Sequence, residues 1–369
     1  MKKTNFLIIG MILFGIAIIL YGGYIIYGKI KPSNDDKKKE ETILTLNEEL
    51  KNSTLFSLKR VHNNLSLVAL NTNGEEILIY DFNDYGRIVE SVKYFYDSTK
   101  CKMYLSIQSN DDKGNIKFNI AVIDLTTNDY KLKNIKQIII DGTDFDMMEA
   151  YSIVKLGNNI YLANSELYKM DIEEKEIEKM DISSEGRQIK LLGYNDNTLI
   201  YNIDEEIYKL DVSNNKNEKI IDKGLLGYIY NNMIIYVDNT NGRYISKSYN
   251  LDNSEVKQIS EDIKRGSTEF DYTIPYKDSY VSLILDTFYY GDNKSIQLTC
   301  ENVNIDGCEI VSVEKYAVYN DYLNVTGFTS DSDAKFQAFA LNIDLNTQEI
   351  KSLKKLDNIY EYLYVTYIK

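Results

Sequence analysis

The order of apolar and polar positions divides the 369-residue chain into three stretches. Residues 6–28 are a run of 23 without a charge, and residues 29–52 are polar and strongly charged. From residue 53 onward, short segments alternate apolar and polar positions and are separated by turn residues. These patterns predict a membrane-spanning helix within residues 1–28, a stalk over 29–52 and an all-β domain over 53–369.

The first stretch predicts a retained signal anchor. At ~1.5 Å per residue, 23 helical residues cover a hydrocarbon core of ~30 Å. Three tyrosines lie near its far end, where their rings suit the headgroup region, and two lysines follow. A cleaved signal peptide is the alternative, but its apolar region is usually shorter and ends at a small-residue cleavage site, which this sequence lacks.

Two sequence rules disagree on which way the predicted helix crosses the membrane. Lys2 and Lys3 precede the apolar run, whereas Lys29, Lys31 and residues 37–39 follow it, so the positive-inside rule places the following domain in the cytoplasm. A two-lysine start directly before an apolar run is typical of secretory targeting, and long domains translocate largely regardless of flanking charge. We expect a single-pass protein of the cell membrane with its carboxy-terminal domain outside the cytoplasm.

The stalk has one apolar pattern of its own. Ile43, Leu46 and Leu50 fall at helical spacing, which is typical of a short amphipathic helix packed on the following domain. A solvated stalk without regular structure is the alternative, and the sequence does not separate the two.

A repeat organises the third stretch. Residues 166–180 read "ELYKMDIEEKEIEKM" and residues 206–220 read "EIYKLDVSNNKNEKI", each an alternating strand, a polar turn and a second strand. The same order of an apolar residue, Asp and a polar turn recurs at seven positions: Asp81, Asp124, Asp171, Asp211, Asp252, Asp306 and Asp344. A mean spacing of about 44 residues is typical of a four-stranded propeller blade. We therefore expect seven blades, with six or eight inside the error because the match at Asp306 is weak.

The recurring Asp has a structural interpretation. Its carboxylate is suited to accept backbone N–H groups in the turn that follows its strand. Further strands precede the Asp hairpins, and the "LLGY" strings at 191 and 225 read as inner strands of successive blades. The last segment, 358–368, alternates like a strand, so we expect it to pair with a strand near 54–61 and close the ring, which removes exposed sheet edges.

The repeat resembles YWTD-type and TolB-like propellers. The strings "YLANSELYKMD", "YNIDEEIYKLD" and "YVDNTNGRYISKSYNLD" each begin with a Tyr-led strand, at Tyr161, Tyr201 and Tyr236, and close on an apolar residue and Asp. The chain has no Trp, so the second position of the YWTD signature is missing. The resemblance implies a propeller that binds proteins, peptides or sugars, often outside the cytoplasm.

The net charge argues against one class of partner. The formal net charge is −14, and because residues 1–31 hold four lysines and no acid, the rest of the chain carries −18. Such a surface repels phosphate backbones and anionic lipid headgroups, so we expect no nucleic-acid partner. Cations, basic proteins and neutral glycans remain.

Few residues suggest catalysis. His62 is the only histidine, so the chain cannot form a histidine-rich zinc site, and no G-x-S-x-G motif supplies a nucleophile elbow. We interpret His62 as a surface residue and expect no enzyme. The alternative is a glycosidase, which needs only two or three converging carboxylates.

The cysteines leave a question open. Cys300 and Cys308 suit a disulfide in an external domain, but a hairpin turning at Asp306 would place Cys308 opposite residue 303. Cys101 has no evident partner and reads as a buried apolar residue.

No cofactor is expected, and calcium is the one alternative considered. Acidic clusters lie at 110–115, 141–146 and 330–333, but none has the spacing of a calcium-binding loop. A second alternative is a sugar-stacking stripe in the last strand, at Tyr360, Tyr362 and Tyr364, although cross-strand packing accounts for it equally.

Together, these features predict a membrane-anchored propeller that binds or scaffolds a protein or glycan ligand without catalysis. The alternatives are a sensor or accessory subunit of an envelope complex and a carboxylate-based glycan-processing enzyme. We expect specialisation in residues 262–292, within the longest repeat interval.

Overall fold

A computed structural model describes most of the chain from residue 44 to residue 367. The described ranges are 44–61, 64–71, 75–85, 88–111, 114–138, 150–230, 232–240, 243–259, 273–277, 279–284, 286–290, 294–319, 321–333, 335–356 and 362–367. The predicted anchor and most of the predicted stalk lie outside these ranges. Within them, no helix has the length and apolar character needed to cross a bilayer.

The described residues form 28 strands and two short helical turns. The strands are β1 (Ser53–Val61), β2 (Asn64–Asn71), β3 (Glu76–Asp81), β4 (Ile88–Asp97), β5 (Lys102–Asn110), β6 (Ile116–Asp124), β7 (Leu132–Ile138), β8 (Ser152–Leu156), β9 (Asn159–Ala163), β10 (Leu167–Asp171), β11 (Ile177–Lys179), β12 (Ile189–Asn195), β13 (Thr198–Ile203), β14 (Glu206–Asp211), β15 (Lys216–Ile221), β16 (Leu225–Tyr230), β17 (Met233–Thr240), β18 (Arg243–Asn250), β19 (Val256–Gln258), β20 (Thr273–Tyr276), β21 (Ser279–Ile284), β22 (Thr287–Tyr290), β23 (Lys294–Gln297), β24 (Ile310–Tyr319), β25 (Tyr322–Ser330), β26 (Phe336–Asp344), β27 (Glu349–Leu356) and β28 (Tyr362–Tyr367). The helical turns are a 3-10 turn at Phe82–Tyr85 and α1 at Cys300–Val303.

These strands build seven four-stranded antiparallel sheets within the described part of the chain. Six sheets use four consecutive strands in chain order: β4 to β7, β8 to β11, β12 to β15, β16 to β19, β20 to β23 and β24 to β27, which are sheets 2 to 7. Sheet 1 has the order β28, β1, β2, β3. The predicted all-β propeller is confirmed, with seven sheets as its blades.

The two ends of the domain meet in sheet 1. Strand β28 pairs with β1, so that Leu55 lies opposite Tyr367 and Leu58 opposite Tyr364. The prediction that the last strand pairs near residues 54–61 is confirmed. Because β28 takes the first position in this sheet, β1 to β3 take the second to fourth positions.

Apolar side chains fill the spaces between neighbouring sheets. The alternation of each strand places one set of side chains against the preceding sheet and the other against the following sheet. Phe56 of sheet 1 and Met103 of sheet 2 belong to one buried cluster, and Phe288 of sheet 6 and Phe339 of sheet 7 belong to another. These clusters are the core of the domain.

The "LLGY" strings lie in first strands, as predicted, and each contains a β-bulge. The register of β12 shifts between Leu191 and Gly193, and that of β16 shifts between Leu225 and Tyr228. Gly193 has φ +148°, and a Cβ there would lie 3.1 Å from Ile229 Cδ1 of the next sheet. Glycine at this position therefore permits both the bulge and the close approach of the neighbouring first strand.

The short described part of the predicted stalk contacts the propeller. Residues 44–52 contain no helix, but Leu50 is buried, and Asn47 Nδ2 donates to the Leu125 carbonyl oxygen at 3.0 Å. The compact unit that contains the propeller begins at Thr45.

Candidate functional site

The propeller has two faces that differ in their turns. In each of sheets 2 to 7, the turns that join the first strand to the second and the third to the fourth lie at one end, which we call the hairpin face. The turns that join the second strand to the third, and the segments between sheets, lie at the opposite end, which we call the connection face. This follows from the antiparallel order of the strands.

Four of the repeated aspartates end the third strand of their sheets and organise turns of the hairpin face. In each case Oδ1 accepts the backbone N–H two residues ahead, at 2.8–2.9 Å. These residues are Asp124, Asp171, Asp211 and Asp344. The residue after each Asp donates its N–H to a carbonyl at the turn between the first and second strands, as Ile172 does to Asn158 and Leu345 to Asp321. The carboxylate therefore serves turn geometry, which links the outer hairpin of a blade to its inner one.

The other three repeated aspartates lie elsewhere. Asp81 accepts the N–H of Asn83, but it ends the fourth strand of sheet 1 and leads into the 3-10 turn on the connection face. In sheet 5, Asn250 takes the turn position and accepts the N–H of Asp252. The predicted turn residue, Asp252, therefore lies two residues after the observed one. Asp306 lies after α1 in the segment between sheets 6 and 7 and ends no strand.

The repeated Glu, Tyr and Lys also have internal partners. Tyr208 Oη donates to Glu206 Oε2 at 2.8 Å, and Lys219 Nζ lies 2.8 Å from Glu206 Oε1. The hydrogen bonds from Lys219 and then Tyr208 lower the pKa of Glu206 to about 2. Glu166 receives the same two kinds of partner, Tyr168 and Lys179, in sheet 3. The similarity of residues 166–180 and 206–220 thus reflects the same connection between third and fourth strands.

Polar pairs join neighbouring sheets on the hairpin face. Lys155 Nζ of sheet 3 lies 2.8 Å from Asp97 Oδ2 of sheet 2, and Asp97 is only 4% exposed. Burial acts to raise the pKa of Asp97, but Lys155 and Thr99 outweigh it, so this pKa lies below its ordinary value. A similar pair joins sheets 6 and 7, where Lys277 Nζ lies 2.7 Å from Asp321 Oδ1.

These carboxylates do not have the electrostatics of a catalytic acid. A glycosidase acid needs a raised pKa to hold its proton near neutral pH. Among the described residues, every carboxyl pKa that departs clearly from its ordinary value is lowered: those of Glu76, Asp97, Asp124, Glu166, Glu206, Asp321 and Glu349. They are ionised members of ion pairs and turns.

The acidic clusters considered for calcium do not converge in the described part of the chain. No three His, Cys, Asp or Glu residues there are placed to hold a metal ion. Asp111 accepts the N–H of Asn115, and Asp331 accepts those of Asp333 and Lys335, so both organise their own turns. Residues 141–146, His62, Tyr360 and the side chains of Tyr362 and Tyr364 lie outside the described residues, as do most of the turns in 262–292.

The connection face of sheet 7 carries an exposed group of apolar side chains. Ile310 and Phe336 lie on either side of Ser330 in one row of the sheet, and they are 60% and 65% exposed. Phe328 packs edge-to-face on Phe336, with ring centroids 5.3 Å apart. We call Ile310, Phe328 and Phe336 the apolar patch. Adjoining exposed apolar side chains, unlike single ones, make this row a candidate interaction surface.

Acidic side chains border the apolar patch. Asp306 and Glu309 precede it along the chain and are exposed, and Asp331 and Asp333 lie in the turn between β25 and β26. Lys335 is the one basic residue in this turn, and its Nζ lies 3.4 Å from Asp333 Oδ2. The two segments that adjoin the patch in the chain therefore carry a net negative charge.

A disulfide holds the segment beside the apolar patch. Cys300 and Cys308 are bonded, with their Cα atoms 5.4 Å apart, because α1 turns the chain back instead of the hairpin considered from the sequence. A Cβ on Gly307 would lie 3.7 Å from Asp331 Cβ, and the Glu309 N–H donates to a β25 carbonyl at 2.8 Å. The disulfide loop therefore rests against the turn that borders the patch.

Sequence reasoning missed the apolar patch. Ile310 and Phe336 each begin a strand, which gives no warning that both are exposed. Their pairing through Ser330 joins segments far apart in the chain. The acidic string at 330–333 was the only local signal, and it was considered for calcium.

Comparisons with known proteins concern the fold. No known protein-family profile matches the chain. No curated protein matches its sequence. Among solved structures, a prolyl endopeptidase is 10% identical with a TM-score of 0.50, over 82% of this chain and 50% of that chain. The chain is a β-propeller. The chain matches half the length of that prolyl endopeptidase, and at 10% identity the likeness concerns the fold alone.

Other solved structures are similar at lower TM-scores. TolB from Acinetobacter baumannii is 12% identical with a TM-score of 0.43, over 84% of this chain and 68% of that chain. A chain of a nidogen–laminin complex is 10% identical with a TM-score of 0.43, over 86% of this chain and 98% of that chain.

Proposed function

We propose that this protein is a membrane-anchored, extracytoplasmic propeller that binds a protein ligand on its connection face and performs no catalysis. The observation that carries the proposal is the contrast between its polar and apolar groups. The carboxylates with lowered pKa values have hydrogen-bond and ion-pair partners within the protein, whereas the apolar patch is exposed. Exposed aromatic side chains on a rigid frame are typical of binding surfaces.

Two observations support the location. The uncharged run at residues 6–28 has the length of a membrane span. The disulfide between Cys300 and Cys308 suits an oxidising compartment, because cytoplasmic thiols are kept reduced.

The location is tested by protease digestion of intact cells that carry a carboxy-terminal tag, with lysed cells as the control. We expect the tag to be lost in intact cells. Protection that disappears on lysis would place the domain in the cytoplasm and reject the proposal.

The absence of catalysis is tested with cell-wall and polysaccharide fragments. We expect no release of reducing ends by the purified full-length protein. Release that is lost in the Asp97→Asn or Glu206→Gln variant would instead favour a carboxylate enzyme.

A further inference from the structure

We infer that the apolar patch binds a basic protein segment whose apolar side chains alternate with lysine or arginine. This inference rests on the proposed binding function and gives the surface and the chemistry of the partner. It follows from three features of the connection face of sheet 7: exposed apolar area, negative charge at its border, and a fixed backbone.

The apolar area is sufficient to hold apolar anchors. Ile310 and Phe336 are separated by one strand, so their Cα atoms lie about 10 Å apart, and Phe328 of that strand packs on Phe336. A few well-packed side chains, often aromatic, supply most of the affinity at protein interfaces, and burial of apolar area adds to it. An extended segment presents alternate side chains about 7 Å apart, so two of them can contact a patch about 10 Å across.

The charge at the border selects the partner. Asp306, Glu309 and Asp333 are exposed, and only Lys335 opposes them in the neighbouring turn. An acidic segment or an anionic lipid surface would be repelled, whereas lysine or arginine beside the apolar anchors would be attracted.

The backbone around the patch is held in place before binding. The disulfide closes residues 300–308, and Asp331 ties its own turn through two N–H groups. A preordered surface loses less conformational entropy on binding than a mobile one. Affinity for a short segment therefore depends mainly on the patch and its charged border.

The test uses the full-length protein in nanodiscs of zwitterionic lipid, with empty nanodiscs subtracted. The probe is a fluorescent peptide of about twelve alternating leucines and lysines, read by anisotropy. Two further peptides replace lysine by glutamate or leucine by serine. We expect the leucine–lysine peptide to bind, the other two to bind at least about tenfold more weakly, and added salt to weaken binding.

Variants locate the binding. Ile310→Ser with Phe336→Ser should weaken binding at least about tenfold, and Glu309→Lys with Asp333→Lys should do the same. The matched control is Leu78→Ser with Val256→Ser, which removes apolar side chains 55% and 50% exposed on other sheets and should leave binding unchanged. Urea midpoints of all variants should stay close to that of the parent, since all the altered side chains are half-buried or exposed.

Three results would overturn the inference: no binding of the leucine–lysine peptide, equal binding of the leucine–glutamate peptide, or equal loss in the control variant. None of these results bears on the location of the domain, which the protease experiment tests. An external propeller that fails the peptide test would bind its ligand through a different surface.

Discussion

The two sides of sheet 7 meet their neighbours in different ways. Toward sheet 6, Leu323, Val325 and Phe339 join Phe288 in a large cluster of buried apolar side chains. Toward sheet 1, the buried apolar cluster is small and contains Val68, Ala338 and Leu356. Sheets 6 and 7 are consecutive in the chain, whereas sheets 7 and 1 are joined by ring closure.

Polar groups replace apolar ones at the junction of sheets 7 and 1. Asn342 is 1% exposed, and its Nδ2 donates to Asn324 Oδ1 at 2.9 Å. Glu76 lies 2.7 Å from Lys59 Nζ within sheet 1, and it also pairs with Lys354 of sheet 7. Of these contacts, only the pair of Glu76 with Lys354 crosses from sheet 1 to sheet 7, so among the described residues the closing junction combines a small apolar cluster with an ion pair.

The largest effect is expected at the apolar junction. Phe339→Ala removes a fully buried ring and should lower the free energy of unfolding by about 3–5 kcal/mol. Urea unfolding measures this, and Phe336→Ala on the same strand, 65% exposed, is the control, with an expected change within about 0.5 kcal/mol. Equal losses in the two variants would contradict the assignment of the core.

A smaller loss is expected from Asp97→Asn, at the junction of sheets 2 and 3. This variant leaves Lys155 without its buried partner and should cost about 2–3 kcal/mol at pH 7. Because folding lowers the pKa of Asp97, the stabilisation is present above its ordinary value of 3.8 and is lost as pH falls through the folded value. The difference in unfolding free energy between parent and variant, measured with urea, should therefore become smaller below about pH 4. A difference that does not change with pH would show that the ion pair is not the cause of the loss.

The disulfide should contribute a comparable or slightly smaller amount. Replacing Cys300 and Cys308 by serine opens a short loop, and the loop-entropy estimate is about 2.6 kcal/mol. The parent in reductant should unfold at the same urea concentration as the variant, which itself should not respond to reductant. A response of the variant would point to Cys101 instead.

The smallest effect tests the closing junction. Glu76→Gln removes the charge between Lys59 and Lys354 and should cost about 1 kcal/mol, because the pairs are partly solvated. Glu48→Gln is the control, since Glu48 is largely exposed and should change stability by less than about 0.5 kcal/mol. If Glu76→Gln lowered the free energy of unfolding as much as Phe339→Ala, the junction of sheets 7 and 1 would not be weaker than the junction of sheets 6 and 7.

Sequence reasoning succeeded where the determining contacts are local. The turns at Asp171 and Asp211 need only an acceptor two residues before an N–H, so a repeated string predicts them. The repeat spacing also agrees with seven sheets, although Asp81 and Asp306 mark no turn between a third and a fourth strand, and the alternating last segment predicted the pairing of β28 with β1. It failed at Asp252 and Asp306, where a similar string occurs in a different register or outside a strand.

The sequence by itself predicted the all-β class, a four-stranded repeat of about 44 residues and the closing strand, because strand periodicity and turn chemistry act over a few residues. Only the tertiary structure decided that Asp81 lies on the connection face, that Lys155 neutralises Asp97, that α1 brings Cys300 to Cys308, and that Ile310 and Phe336 share one exposed row. Most of these depend on strand order and on pairing between distant segments. A local pattern carries no information on which distant partner a side chain will meet.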